Sequence, residues 1–393
     1  MKNKFIPYGR QEITNEDISS VISTLKSDYL TQGPKINEFE IAFANYVGSK
    51  YAVAVSNGTA ALHLCALSIG IKEGDKIITS PITFSASANC IRYCGAEVVF
   101  VDIDPKTYLI DLDKVEEVLE KFQSDIKGII PVDFTGRPCN YERLKNIAKK
   151  NNLWIIQDSC HSPGGYFIDK NNKKQNCGNG LFSDLSIFSF HPVKHIATGE
   201  GGMITTNSEK LYKKLKDLRT HGITKNKDLF QNSHELAGGK NNYPDWYMEM
   251  QDLGYNYRLT DIQSSLGLSQ LKRASSNIEK RKKIAKKYFN AFKNKKYIIG
   301  QSDYLVGHAY HLYIIEVDNR LELYNYLKKN NIFCQIHYFP CHLMPYYRKL
   351  GWKVGDLPNA EEYYKKCITL PIFPTLSEKE QDIVIKNIIS FYE

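Results

Sequence analysis

Between residues 51 and 205 short β-branched runs alternate with helical stretches, and this alternation narrows the accessible folds more than any other feature of the chain. Strands are predicted over 51–56, 76–80, 97–102, 128–131 and 153–158, with helices over 59–69, 85–93, 112–122 and 141–150. Parallel strands need long crossovers, usually helical, so the pattern predicts a mostly parallel sheet with helices on both faces, an α/β architecture. Two further strands are expected at 184–190 and 202–205, and the Asn-, Lys- and Gly-rich stretch 169–180 reads as a surface hairpin tip. One long helical pattern runs from Thr260 to about Phe292, with Thr260 or Asp261 as its cap. Beyond it, 311–317, a helix over 321–330, and 333–337 suggest a small α+β domain.

A length of 393 residues is long for one core and suggests two domains. The 42% hydrophobic and 24% charged fractions are those of an ordinary soluble protein. Nine cysteines without a Cys-x-x-Cys pair argue against a disulfide framework or a zinc site, and for a reducing cytoplasm. The first residues hold no apolar signal core and no run reaches membrane-spanning length, so no membrane association is expected. The net charge of +9 admits nucleic acid or a small phosphorylated substrate as partner. Basic residues concentrate over 280–296, where Ile284, Tyr288, Ala291 and Phe292 recur at helical spacing. No aromatic platform is interleaved with these charges, so the stretch reads as a solvated helix face and nucleic acid is not expected.

Lys194 lies in Ser-Phe-His-Pro-Val-Lys-His-Ile-Ala-Thr-Gly-Glu-Gly-Gly, residues 189–202, between an apolar strand and a glycine-rich turn. It is either a surface lysine or a desolvated amine able to form a Schiff base with an aldehyde cofactor, since burial favours the neutral, nucleophilic form. Gly58, Thr59 and Ala60 open a predicted helix directly after a strand, where unpaired N–H groups favour an anion, although such turns are also common as plain caps. The turn lacks the Gly-x-Gly-x-x-Gly spacing of a dinucleotide site. Asp158 ends an apolar strand, followed by Ser159, Cys160 and His161. It is a structural cap, a metal ligand with His161, or a carboxylate that keeps a pyridine nitrogen protonated; no further ligand cluster stands nearby to support a metal. Phe84 follows a second strand and either packs in the core or stacks on a flat ring. Ser189, five residues before Lys194, adds a hydroxyl to the anion site.

The order Thr59, Phe84, Asp158, Ser189, Lys194 resembles the sugar aminotransferases of the DegT/DnrJ/EryC1/StrS family, and the resemblance covers essentially the whole chain. It implies the aspartate-aminotransferase fold (fold type I), with an N-terminal segment 1–12 packed on the small domain, a large domain over 13–258, and a linking helix and small α+β domain over 259–393. It also implies pyridoxal 5'-phosphate held covalently on Lys194, with pyridoxamine 5'-phosphate as an intermediate. Asp158 is then the partner of the pyridine nitrogen, Phe84 covers one ring face, and His161 lies near the cofactor. Thr59 and Ser189, with Gly58 and Ala60, are implied phosphate ligands. Gly254-Tyr-Asn-Tyr-Arg-Leu-Thr-Asp-Ile-Gln matches a motif whose asparagine reaches the phosphate of the neighbouring subunit. Asn256 is therefore an expected cross-subunit contact, in a homodimer with active sites at the subunit interface.

Ser27-Asp-Tyr-Leu-Thr-Gln-Gly-Pro, Asp133-Phe-Thr-Gly, Asp245-Trp-Tyr-Met-Glu-Met-Gln and Gln335-Ile-His-Tyr-Phe-Pro further resemble the pseudaminic-acid branch of the family. That likeness implies amino transfer from L-glutamate to C4 of a UDP-linked 4-keto-6-deoxy-N-acetylhexosamine. Tyr8, Arg258, His337 and Tyr338 are the candidates for the substrate side. The rivals are a same-family enzyme for another nucleotide sugar, of bacillosamine or perosamine type, and a dehydratase, in which histidine replaces the lysine. A non-catalytic regulator that binds DNA through the basic helix is the remaining reading, opposed by the intact Lys, Asp, Ser and Thr set.

Overall fold

The computed structural model describes residues 5–122, 125–300 and 305–393. Seven strands form one sheet in the order Tyr51–Val55, Gly202–Thr206, Leu185–Ser189, Trp154–Asp158, Ile126–Ile130, Lys76–Thr79 and Glu97–Phe100. Every pairing is parallel except those of Gly202–Thr206, which runs antiparallel to both neighbours. Strands such as Tyr-Ala-Val-Ala-Val are apolar on both faces because helices cover both sides. The largest apolar cluster, including Val53, Ile78, Ile129, Ile156 and Ile187, lies along this sheet. Helix Gly58–Ser68 is apolar nearly all round and is buried along most of its length, as that composition requires.

A second apolar cluster gathers Tyr288, Tyr313, Ile315, Ile368, Leu370 and Val384. It is built on the antiparallel strands Ile299–Gly300, Tyr313–Glu316 and Cys367–Leu370, with helices Ala274–Phe292, Arg320–Lys329 and Glu378–Tyr392. Ile6 belongs to this cluster, and Ile6–Pro7 pairs in parallel with Ile332–Phe333; residues 1–4 of the N-terminal segment lie outside the described residues. Among the described residues no helix is long and apolar enough to cross a membrane.

Several expectations are corrected. The pattern beginning at Thr260 is two helices, Asp261–Leu271 and Ala274–Phe292. At the break, Arg273 donates to both oxygens of buried Asp17, at 2.8 and 2.6 Å, and to the Glu12 carbonyl at 2.8 Å. Thr260 is the cap, in a reciprocal box with Gln263, whereas Asp261 accepts from the Gly33 and Lys35 amides. The 169–180 stretch is a hairpin tip only in part: strands Tyr166–Ile168 and Lys174–Asn176 pair, while Asp169, Gln175, Cys177 and Asn179 are buried. Within the basic helix, Ile284, Tyr288 and Phe292 face the core as expected, but Arg281 is buried with them.

The strand expected over 311–317 begins only at Tyr313, because the backbone before it bonds elsewhere. Ala309 N donates to the Gly136 carbonyl at 2.8 Å and Leu312 N to the Thr135 carbonyl at 3.1 Å. Gly136, at φ +100°, permits this approach: a Cβ there would stand 2.7 Å from the His161 carbonyl and 3.0 Å from Tyr310 N. Regular pairing over 333–337 likewise stops at Phe333, with one further bridge from Gln335 to Thr369. Both departures deliver histidines, His311 and His337, to the same cavity.

Candidate active site

A cavity of about 980 Å³ opens at the carboxyl ends of the parallel strands, where open α/β sheets bind ligands. Its lining includes Gly58, Thr59 and Ala60 after the first strand, Phe84 after the second, Asp158 and His161, Ser189, and Lys194. Residues scattered over more than a hundred positions meet because each follows the end of a strand in one sheet. Tyr8, His337 and Tyr338 complete the wall from the side of the second cluster. Asn256 and Arg258 are not among the lining residues. Asn256 is exposed and its segment bridges Thr220, while Arg258 bridges Val55; Tyr257 between them does line the cavity. Among the described residues Arg258 forms no ion pair with nearby Asp261, whose carboxylate accepts from the Gly33 and Lys35 amides.

Asn57 caps the helix at Gly58 by accepting from Ala60 N at 2.8 Å. The first turn lines the cavity, and N–H groups at a helix start have no intrahelical partner, so an anion is favoured there. A Cβ on Gly58 would lie 3.1 Å from Ser189 Cβ and 3.5 Å from Cys160 Sγ, so the glycine keeps this end of the cavity open. Phe84 is 62% exposed, not packed in the core, and its ring lines the cavity.

Asp158 is buried, with Oδ2 accepting from Ser87 Oγ at 2.7 Å and Oδ1 from Cys160 N at 3.1 Å. Nothing in the spacing of Ser87, 71 positions away, signalled this bond. His161 stacks beside His311, ring centroids 4.3 Å apart, and its Nε2 lies 3.4 Å from the Tyr338 hydroxyl. Its buried Nδ1 has no partner among the described residues. Burial, with Lys194 nearby, holds both histidines well below their ordinary pKa, and therefore neutral. Lys194 is pushed down too, chiefly by loss of water and further by Arg281, against the opposing pull of Cys160 and Asp158. His337 Nδ1 lies 2.8 Å from Thr369 Oγ1, and burial lowers its pKa to about 3. Tyr8 packs on His337 at 5.3 Å.

Asp133 supports the floor and was legible only as part of a phrase. Its buried carboxylate accepts from Tyr141 Oη, Cys139 N, Gln157 Nε2, Ser159 Oγ and Ser162 Oγ. These bonds tie the 133–136 turn to the segment that carries Asp158 and His161.

Pyridoxal phosphate asks for an amine with a depressed pKa, a carboxylate for the ring nitrogen, an anion cradle and an aromatic cover. The cavity offers all four: a desolvated lysine, a carboxylate fixed through both oxygens, a glycine-opened helix start and an exposed phenylalanine. The orphaned Nδ1 of His161 leaves one buried polar atom for a bound group to satisfy.

The model of the DegT/DnrJ/EryC1/StrS aminotransferase family matches residues 11–389. An uncharacterized protein of Methanocaldococcus jannaschii is 40% identical over 401 residues, covering 99% of each chain. UDP-4-amino-4,6-dideoxy-N-acetyl-β-L-altrosamine transaminase of Campylobacter jejuni strain 81-176 is 37% identical over 395 residues, covering 99% of this chain and 98% of the other. Among solved structures, Spr1654 of Streptococcus pneumoniae, described as a sugar aminotransferase and solved in its PMP form, superposes with a TM-score of 0.88 at 30% identity over 98% of this chain and 97% of the other. Helicobacter pylori PseC, an aminotransferase involved in pseudaminic acid biosynthesis, does so with a TM-score of 0.86 at 30% identity over 99% of both chains. The chain belongs to the DegT/DnrJ/EryC1/StrS aminotransferase family and is a pyridoxal-phosphate-dependent sugar aminotransferase.

Proposed function

We propose that the enzyme moves an amino group from L-glutamate to C4 of a UDP-linked 4-keto-6-deoxy-N-acetylhexosamine, in the pseudaminic-acid pathway of the cytoplasm. The observation that carries the chemistry is the convergence of Lys194 and Asp158 on one cavity beside an open helix start. The sugar rests on the likeness to the Campylobacter jejuni transaminase and to PseC.

Pyridoxal phosphate, which Lys194, Asp158 and the helix start at Gly58 would hold, would supply an electron sink for both half-reactions. Lys194 anchors the group covalently and, once released, its Nζ takes the α-proton of L-glutamate as general base. The same amine delivers a proton to C4 of the sugar in the second half-reaction, by microscopic reversibility. Asp158 holds a proton at the ring nitrogen, and Ser87 and Cys160 N fix its two oxygens for that task. Gly58, Thr59, Ala60 and Ser189 bind the phosphate, Phe84 covers one ring face, and His161 satisfies its free nitrogen on the bound group. Tyr8, His337 and Tyr338 orient the sugar. Asn256, exposed and outside its own cavity, contacts the phosphate in the neighbouring subunit of a homodimer. The division into a large domain over 13–258 and a small one over 259–393, with 1–12 packed on the latter, is part of the same reading.

An absorbance spectrum of the purified protein tests it. A yellow band bleached by L-glutamate and restored by the UDP-linked 4-keto sugar is expected. A band bleached but not restored keeps the transaminase and discards this sugar in favour of another 4-keto nucleotide sugar. A colourless protein that takes up no added pyridoxal phosphate overturns the proposal.

A further inference from the structure

Arg281 is almost wholly buried, at 1% exposure, in a helix whose other basic residues mostly face solvent. Its Nη1 lies 3.3, 3.2 and 3.0 Å from the carbonyl oxygens of Tyr310, His311 and Ile372. Among the described residues its Nε has no hydrogen-bond partner and no carboxylate forms an ion pair with it. Burial pushes its pKa down only to about 10, so it carries its charge at neutral pH. A buried cation without a counter-ion is expensive, and three carbonyl dipoles are a weak substitute for one. A clamp on those carbonyls alone does not require a full positive charge.

One of the three carbonyls belongs to His311, whose ring faces the cavity that Lys194 also lines. The groups around Lys194 are Asp158 and Cys160, which favour a proton on it, and the neutral histidines His161, His195, His311 and His337; Glu200, His191, Tyr8 and Tyr257 line the same cavity. The Tyr338 hydroxyl completes this wall. Arg281, bonded to the His311 carbonyl, adds a permanent positive charge to this set and acts through a medium that screens poorly.

We propose that Arg281 is a positioning residue for amino transfer: its uncompensated charge, held by three carbonyls of which one belongs to cavity-lining His311, disfavours a proton on the Lys194 nitrogen, while its bonds fix His311. The inference rests on the reading of Lys194 as the reacting amine. Its direction agrees with the lowered pKa of Lys194, in which burial is the main cause and Arg281 the smallest contribution, behind the opposing Cys160 and Asp158.

The test is a pH titration of the visible absorbance of the pyridoxal-phosphate-loaded protein, which reports the proton on the Lys194 nitrogen. Arg281→Gln keeps hydrogen-bond donors for the carbonyls but removes the charge, and its midpoint is expected to rise by about one pH unit. Arg281→Lys keeps the charge, and its midpoint is expected to stay with the parent. Equal midpoints in parent and Arg281→Gln, or equal shifts in both variants, overturn the proposal. If Arg281→Gln does not fold, Arg281→Met replaces it. Failure of both neutral variants to fold while Arg281→Lys folds assigns the residue a purely structural role and also overturns the proposal. Borohydride trapping of the parent, with the modified peptide sequenced, separates the two readings. Label on any residue other than Lys194 removes the reading of the amine itself, whatever the titration shows.

Discussion

Ser87 Oγ donates a 2.7 Å hydrogen bond to Asp158 Oδ2, joining helix Ala86–Tyr93 to the end of strand Trp154–Asp158. Thr83 Oγ1 lies 2.8 Å from the same Ser87 oxygen, so a short chain of hydroxyls leads to the carboxylate. A bond to a charged acceptor is worth about 1.5–3 kcal/mol. Ser87→Ala is therefore expected to lower kcat by about tenfold to a hundredfold while the protein remains folded and yellow. Steady-state kinetics with an absorbance spectrum checks this, and an unchanged kcat removes Ser87 from the machinery.

Asp158→Asn and Lys194→Ala should fail in different ways. The amide retains some cofactor but no longer carries the charge that holds the ring proton, and activity should fall by at least about a hundredfold. Lys194→Ala should lose covalent attachment and essentially all transfer. Normal turnover in either variant contradicts the assigned roles.

Gly58→Ala separates cofactor fit from stability. Alanine's gain in helix propensity, up to about 1 kcal/mol, and the tight approach to Ser189 oppose each other, so thermal stability should change little. The new methyl stands 3.1 Å from Ser189 Cβ at the end of the cavity assigned to the phosphate. The methyl takes space assigned to the phosphate, so the dissociation constant for pyridoxal phosphate should rise by about tenfold or more. Equilibrium dialysis measures it; unchanged affinity moves the phosphate elsewhere.

Burial lowers His308 and His337 from the ordinary 6.5 to about 3. Between these values the unfolded chain binds protons that the folded chain does not, so stability falls as pH drops from about 6.5 toward 3. Each histidine contributes at most about 1.4 kcal/mol per pH unit in that window, and nothing further below it. Urea midpoints at pH 7 and pH 5 should show the loss. His308→Gln should flatten the dependence, and an unaltered pH slope in that variant is the contrary result.

Alternation of strands and helices in the first half, with β-branched runs buried on both faces, made the parallel sheet legible without coordinates. The Lys194 segment and the strand-end Asp158 were equally visible, because a residue at the carboxyl end of a parallel strand has a known address before its neighbours are known. The order Thr59, Phe84, Asp158, Ser189, Lys194 carried the family for the same reason.

Local pattern could not give the partners across the sheet. Ser87 meets Asp158 over 71 positions, and no periodicity encodes that distance. Arg281 has the sequence context of an exposed basic residue, yet the packing of Ala274–Phe292 against the second cluster buries it. The helix expected from Thr260 to Phe292 breaks where Arg273 reaches Asp17, a contact 256 residues away in the chain. Strand ends at 312 and 333 were set by where the backbone found its hydrogen bonds, at Thr135 and Gly136 or not at all in a ladder. Sequence by itself determined which segments could be strands, which turn could take an anion and which amine stood at a strand end, because these follow from periodicity and backbone chemistry within a few residues. Tertiary structure alone decided which charges were buried, which donors fixed the carboxylate and which candidates faced one cavity, because burial and electrostatics depend on atoms that the chain brings together only when it folds.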